Sequence, residues 1–297
     1  MRISLLNVPA ALREPAAVEH KLTQPLPADS ALSVLWVGHA TALVQIDDKF
    51  ILTDPVFTDF VGGVSKRLVE PGIAAEHLPE IAVALVSHRH FDHLSPDSLR
   101  LIGSRLGTVL APVGAAGDVP AGAYRTVELP TGSAWEHDGL RVTAVPVLHD
   151  GGRLLFDRDS HPHAFTGYVV EYHGKRVYFP GDTSYRANLF HAVVERFGPM
   201  DLALMPICPI APESTMHPHH LTPDEALRAV DELQAVVMVP IHFDTFVNSF
   251  DVPGDCLRAL NQAMDANLDR KARVEVLRVG EQRVLLEQKR QGRGGAV

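Results

Sequence analysis

Short apolar runs that stop abruptly at polar, chemistry-bearing residues recur along this chain and set its organisation. Ile81 to Val86 is brief, continuous and partly β-branched, so it reads as a buried strand. Upstream, Leu32 to Val37, Ala42 to Ile46 and Phe50 to Leu52 follow one another, separated by a Gly38-His39 kink and an Asp47-Asp48 turn. That pattern predicts a strand, a kink, a second strand, a tight hairpin turn and a third strand. Further strands are expected over residues 108–111, 124–129, 141–148, 166–172, 176–179, 201–206, 236–240, 274–277 and 283–286. Helices are expected where caps precede mixed polar and apolar segments: Ser95-Pro96 opening a helix toward Leu101, Thr222-Pro223-Asp224-Glu225 opening another, and segments 188–197 and 256–266. Residues 57–80 are loop material, long enough for a functional flap, and 207–220 are irregular. Residues 1–30, rich in Ala, Pro and charge, read as an arm on the surface. Residues 31–287 read as one domain, and the basic, Gly-rich 288–297 as a flexible tail.

The residues that follow these strands carry the chemistry. Ser87-His88-Arg89-His90-Phe91-Asp92-His93 puts three imidazoles and a carboxylate directly after the strand at 81–86. In an extended segment His88 and His90 point the same way and can grip one ion, while the turn through Asp92-His93 aims a hard oxygen and another imidazole at a neighbouring position. Imidazole with carboxylate suits zinc first and iron or manganese next, and the lack of Cys in the cluster argues against a closed structural site. A solvated, merely His-rich loop is the alternative. The pattern of strand then candidate ligand repeats at His149, Asp182 and His242. Asp54, at a strand end before Pro55, is either a turn former or a carboxylate that orients a ligand imidazole. His39 beside its Gly reads as a buried, hydrogen-bonded histidine rather than a metal ligand. Cys208, in the irregular stretch, reads as a small buried residue.

Composition narrows the partners. The 297 residues are 46% hydrophobic and 21% charged, as expected for an ordinary globular core. A formal net charge of -9 disfavours a nucleic-acid backbone as partner. Two cysteines cannot make a disulfide framework and suit a reducing compartment. No apolar stretch approaches a transmembrane span, and no signal peptide is evident, so a cytoplasmic protein with room for peripheral membrane contact is expected. The oligomeric state is not legible.

His88-x-His90-x-Asp92-His93, a distal His149, Asp182 in Gly181-Asp182-Thr183 and His242 after a strand together resemble the metallo-β-lactamase superfamily. Trp36 to Thr41, Leu52 to Pro55, Pro180 to Thr183, Arg196 to Asp201, His220 to Ala226 and Ile241 to Phe246 resemble one branch of it. That branch contains the N-acyl-phosphatidylethanolamine-hydrolysing phospholipases D and, more distantly, the ascorbate-6-phosphate lactonases. The resemblance covers residues 32 to 287 and implies an α/β fold, a four-layer αββα sandwich. It implies two zinc ions, one held by His88, His90 and His149, the other by Asp92, His93 and His242, with Asp182 bridging. It places Asp54 and His39 behind the ligands and His220 on the substrate side, so that Asp92, Asp182 and His220 carry catalysis. The implied reaction is hydrolysis of a phosphodiester in a small-molecule or lipid substrate by a metal-bridging hydroxide. A lactonase or amidase using the same site is the alternative. A di-iron redox protein would place Glu where His90 stands, and a non-enzymatic metal binder would be expected to lack one of the seven ligands. The stretch Ile207 to His220 departs from the phospholipases in lacking aromatic and basic residues.

Overall fold

A computed structural model describes residues 13–19, 21–22, 30–63, 65–153, 162–247, 249–271 and 273–287. Strand β1 (Ser30–Gly38) shows how the alternation of side chains builds the layers: Leu32, Val34 and Trp36 enter one apolar core, and Leu35 and Val37 enter another. β2 (Thr41–Ile46) repeats this, with Ala42, Val44 and Ile46 on the first side and Leu43 on the second. After β3 (Lys49–Thr53) comes a short hairpin, β4 (Phe60–Val61) and β5 (Ser65–Lys66), set apart from the main sheets. β6 (Ile81–Leu85), β7 (Leu106–Ala111) and β8 (Arg125–Glu128) continue the first sheet. Six strands form the second: β9 (Ala134–His137), β10 (Leu140–Val145), β11 (Gly167–Tyr172), β12 (Lys175–Phe179), β13 (Leu202–Pro206) and β14 (Val237–Ile241). β15 (Gln282–Glu287) returns to the first sheet, whose order is β15-β1-β2-β3-β6-β7-β8; the second runs β14-β13-β12-β11-β10-β9.

The first core lies between the sheets, where Leu32, Val34 and Trp36 meet Val142, Ala144 and Tyr168. On the far side of the first sheet, Leu35, Val86 and Val109 pack with Leu99 and Ile102 of α1 (Pro96–Ile102). On the far side of the second sheet the same core continues into α2 (Leu189–Phe197) through Phe190 and Val193. A one-turn α3 (Glu213–Met216) precedes α4 (Pro223–Glu232), which adds Leu227 and Val230, and α5 (Asp255–Asp265) adds Leu260. Helix, sheet, sheet and helix make the αββα sandwich that the sequence implies. Local chemistry sets the helix starts: Ser95 accepts from the Ser98 N–H, and Thr222 and Glu225 form a reciprocal capping box.

Strand direction matters most for the site. β3 and β6 are parallel, with Thr53 opposite Leu85, so Asp54 and Ser87 emerge side by side just past the strand ends. β12, β13 and β14 are parallel as well, and β10 runs the same way because two antiparallel pairings separate it from β12. The residues after β10, β12 and β14 therefore share one rim.

Four readings change. Residues 274–277 are not a strand: Met238 donates to Arg273 O and accepts from Glu275 N–H, so contact with β14 lasts for a single bridge. β9 escapes the sequence pattern because its residues are largely exposed and carry no apolar alternation. The loop over 57–80 contains the β4–β5 hairpin and a turn at Ala75–His77. The fourth concerns the cysteines: Cys208 and Cys256 form a disulfide that ties the segment after β13 to the start of α5, so the pair is a staple rather than two free thiols. Where the arm is described, Ala16 and Leu22 bridge to Val69 and Ile73. The tail at 288–297 lies outside the described residues.

The bridge closes a loop between cysteines 48 residues apart. Cys256→Ser should therefore lower unfolding stability by about 2–4 kcal/mol, read as a drop in the denaturant midpoint. Thiol titration of the denatured, non-reduced wild type should find no free cysteine.

Candidate metal centre

Where β6 ends, the chain turns under the first imidazoles. His88 Nε2 lies 2.9 Å from His90 Nδ1, and His149 Nε2 lies 3.3 Å from that same nitrogen. The outer nitrogen of each ring is occupied. His88 Nδ1 is 2.9 Å from Ser87 Oγ, whose hydroxyl donates to Asp54 Oδ2 at 2.6 Å. His90 Nε2 reaches Asp150 Oδ1 at 3.3 Å, and His149 Nδ1 donates to the carbonyl of His219 at 2.9 Å. These outer partners place the protons on the outer nitrogens, so three lone pairs converge on one point. Such an arrangement repels itself unless a cation is shared, and the three residues could hold a metal ion.

A second convergence adjoins it. His93 Nδ1 donates to Asp54 Oδ2 at 2.6 Å, which turns His93 Nε2 toward His242 Nε2, 3.0 Å away. Asp182 Oδ2 is 3.3 Å from each of these nitrogens and 3.9 Å from His149 Nε2, so it stands between the two groups. Asp92 Oδ2 lies 3.9 Å from His93 and from His242, and 3.1 Å from His39 Nε2. Asp182 Oδ1 and His242 Nδ1 are buried without a hydrogen-bond partner among the described residues. His220 projects from the turn after α3, with Nδ1 3.5 Å from Asp182 Oδ2. Gly181 makes this approach feasible: at φ +64 it lies so close to Ser87 that a Cβ there would fall 2.2 Å from the serine Cβ.

Charge completes the description. Burial disfavours ionisation of Asp92, but His93, His39 and His242 outweigh it and hold the carboxyl well below the usual range. Asp182 behaves alike, with His242 and His93 overcoming its burial. Burial pushes the imidazoles the other way: His39 down to about 3, His220 down to about 4, and His88 and His149 well below their ordinary value. His93 is raised despite burial because Asp182, Asp54 and Asp92 surround it. The interior thus holds ionised carboxylates among mostly neutral rings, a balance that bound cations would complete. Asp54 is fully buried, and burial raises its pKa against the pull of His93 and Ser87. Its two oxygens already accept from Ser87 N, Ser87 Oγ and His93 Nδ1, and with His88 and His93 it forms a further group that could hold a metal ion.

All ten residues singled out in the sequence meet here: His39, Asp54, His88, His90, Asp92, His93, His149, Asp182, His220 and His242. Three contributors were missed. Ser87 is the relay between His88 and Asp54, Asp150 holds His90, and His219 acts through its backbone carbonyl. The adjacency of Asp150 to His149 was the one available signal. Cys208 lines a narrow cleft together with His39 and His242.

Residues 49–243 match the family model of the beta-lactamase superfamily domain. The chain is 34% identical over 265 residues to the N-acyl-phosphatidylethanolamine-hydrolyzing phospholipase D 1 of Caenorhabditis elegans, covering 82% of this chain and 72% of the relative. It is 30% identical over 252 residues to the mitochondrial N-acyl-phosphatidylethanolamine-hydrolyzing phospholipase D of Saccharomyces cerevisiae, covering 80% of this chain but about half, 52%, of that protein. Among solved structures, a metallo hydrolase from Ignicoccus hospitalis superposes with a TM-score of 0.63 at 21% identity, covering 85% of this chain and 97% of its own.

Two outcomes follow from the geometry. Asp54→Asn offers one acceptor oxygen where three donors converge, so its amide must face either Ser87 or His93. Metal affinity should fall about 10- to 100-fold by calorimetric titration. In the metal-free protein, the histidines held below their unfolded pKa take up protons only on unfolding as pH drops below about 6.5. The stability they allow is present above that pH and lost as pH falls toward the folded values near 4 and 3, with His93 opposing in part. The melting temperature of the metal-free protein should therefore fall steeply between pH 7 and pH 5, and less so with metal bound.

Proposed function

We propose, for a chain that belongs to the metallo-β-lactamase superfamily and is a metal-dependent hydrolase, that its reaction is phosphodiester hydrolysis of the phospholipase D type at a dinuclear centre. N-acyl-phosphatidylethanolamine-like lipids are the substrate class. The observation that carries the dinuclear reading is Asp182 Oδ2, within 3.3 Å of His93 and His242 and 3.9 Å of His149. His88, His90 and His149 would hold one ion, and Asp92, His93 and His242 the other, with Asp182 facing both. The orphaned Asp182 Oδ1 and the converging nitrogens fit such ions, with zinc favoured by the donors and iron or manganese accepted by the same set. Bound there, two divalent ions supply Lewis acidity that activates water and neutralises charge on a phosphodiester.

The protein's own groups do the rest. Asp54, Asp150 and the His219 carbonyl keep the ligand rings from rotating, so the inward nitrogens stay aimed. His220, neutral and mostly buried beside Asp182, is placed to position a substrate oxygen or to pass a proton to the departing group. The cleft beside His39 and His242 is lined by Leu68, Phe243, Phe246 and Val247 but also by Asp244, Ser249 and Asp251, so it offers apolar and polar contacts together. No helix among the described residues is long and apolar enough to cross a membrane, so a lipid substrate would be reached from the membrane surface.

The test is a zinc-loaded screen of N-acyl-phosphatidylethanolamine vesicles, bis-p-nitrophenyl phosphate and a panel of lactones, with Asp182→Asn alongside. Phosphodiester turnover should appear in the wild type and fall by at least about 10³-fold in the mutant, whose metal content should also drop. Full activity in the mutant would sink the dinuclear reading. Turnover confined to lactones would move the scissile centre from phosphorus to carbon.

A further inference from the structure

His39 sits where β1 turns into β2, and its backbone adopts φ +56, a left-handed conformation that costs energy in a residue with a Cβ. Three hydrogen bonds hold it there. Its N–H donates to Thr245 Oγ1 at 2.7 Å, and its carbonyl accepts from Trp36 Nε1 and from the backbone N–H of His242, each at 2.9 Å. The ring is 2% exposed, lies edge-on to Phe246 and stands 3.9 Å, centroid to centroid, from His242. Only one direction is left for Nε2, toward Asp92 Oδ2 at 3.1 Å. That oxygen is the one facing His93 and His242. A turn alone would be better served by Gly or Asn, so the imbalance points to the ring.

We infer that His39 is a positioning residue for the second metal site: it donates to Asp92 Oδ2 and fixes the orientation in which that carboxylate meets His93 and His242. This rests on the dinuclear reading above. Asp92 follows Phe91 in a turn and is 19% exposed, and the contact with His39 bears on the oxygen that faces the second group. Thr245 and His242 lie on the segment after β14, and His39 therefore couples the turn between the first two strands to the last metal-ligand candidate. Its Nε2 also lies within 4.8 Å of the inward atoms of Asp92, His93 and His242, which makes direct ligation the competing role.

The experiment is Co²⁺ titration of metal-free wild type, His39→Gln and His39→Leu, followed by visible absorption and calorimetry, with apo-protein melting as a fold control. The wild type should fill in two steps. His39→Gln, which keeps an N–H donor at similar reach, should retain both steps within about threefold. His39→Leu should keep the first step and lose about 10- to 100-fold in the second. A glutamine variant that fails as badly as the leucine variant would assign ligation instead, and a leucine variant with an intact second step would remove any role. A wild type that binds a single equivalent of Co²⁺ overturns the dinuclear reading and this inference with it. Should the leucine variant not fold, Thr245→Val decides, because it frees the His39 backbone while leaving the ring. A weakened second step shows that the His39 ring serves that site, with the glutamine variant separating positioning from ligation, and an unchanged one overturns the inference.

Discussion

A single buried carboxylate governs this site. Asp54 is fully buried, and its two oxygens accept three hydrogen bonds, from the amide and the hydroxyl of Ser87 and from Nδ1 of His93. A buried charge is tolerated only when its lone pairs are satisfied, so those donors are held firmly. Through Ser87 the carboxylate reaches His88 in the first group of imidazoles, and through His93 it reaches the second. Two candidate metal positions are thus oriented from one point behind them. The parallel register of β3 and β6, with Thr53 opposite Leu85, delivers Asp54 to Ser87, and the amide of Asp54 donates to the carbonyl of Leu85 in the same ladder.

Much of this was legible because chemistry and strand ends coincide in the chain. Each of His88, His149, Asp182 and His242 follows an apolar run, and a run that is buried on both faces must end at a rim. What the chain does not display is the direction of each strand, and the convergence depends on it. Ser87 and the His219 carbonyl escaped notice for a related reason: a hydroxyl beside a histidine and a backbone oxygen have no spacing that marks them. Asp150 was readable only as part of a turn. The disulfide escaped because two cysteines 48 residues apart reveal nothing of their separation in space. The missed strand β9 and the abandoned strand at 274–277 fail in opposite ways, one exposed and without alternation, the other apolar but bound to its neighbour for one residue.

Strain gathers at the same rim. His39, Asp54, His242 and Asp244 all adopt positive φ, where residues with a Cβ are disfavoured. Each is tied by long-range contacts: His39 to Thr245 and His242, Asp54 to Leu85 and Ser87, and Asp244 to the amide of Gly254. For His39 the contacts cross from the first sheet to the segment after the second, so tertiary packing holds a backbone that local sequence preference would not choose.

That division of labour separates reaction from substrate. The ligand rings are fixed by groups rooted in the strands, and a change of substrate need not disturb them. The wall of the cleft is built otherwise. Asp251 gathers the amides of Ile210 and Ala211 and the hydroxyl of Ser249 on one oxygen, and the Cys208–Cys256 bridge fastens the same stretch to α5. These contacts tie the wall together where it has little helix or strand of its own. The 207–220 stretch carries no basic side chain other than histidine, and apart from His39 and His242 the titratable side chains that line this cleft are Asp244 and Asp251.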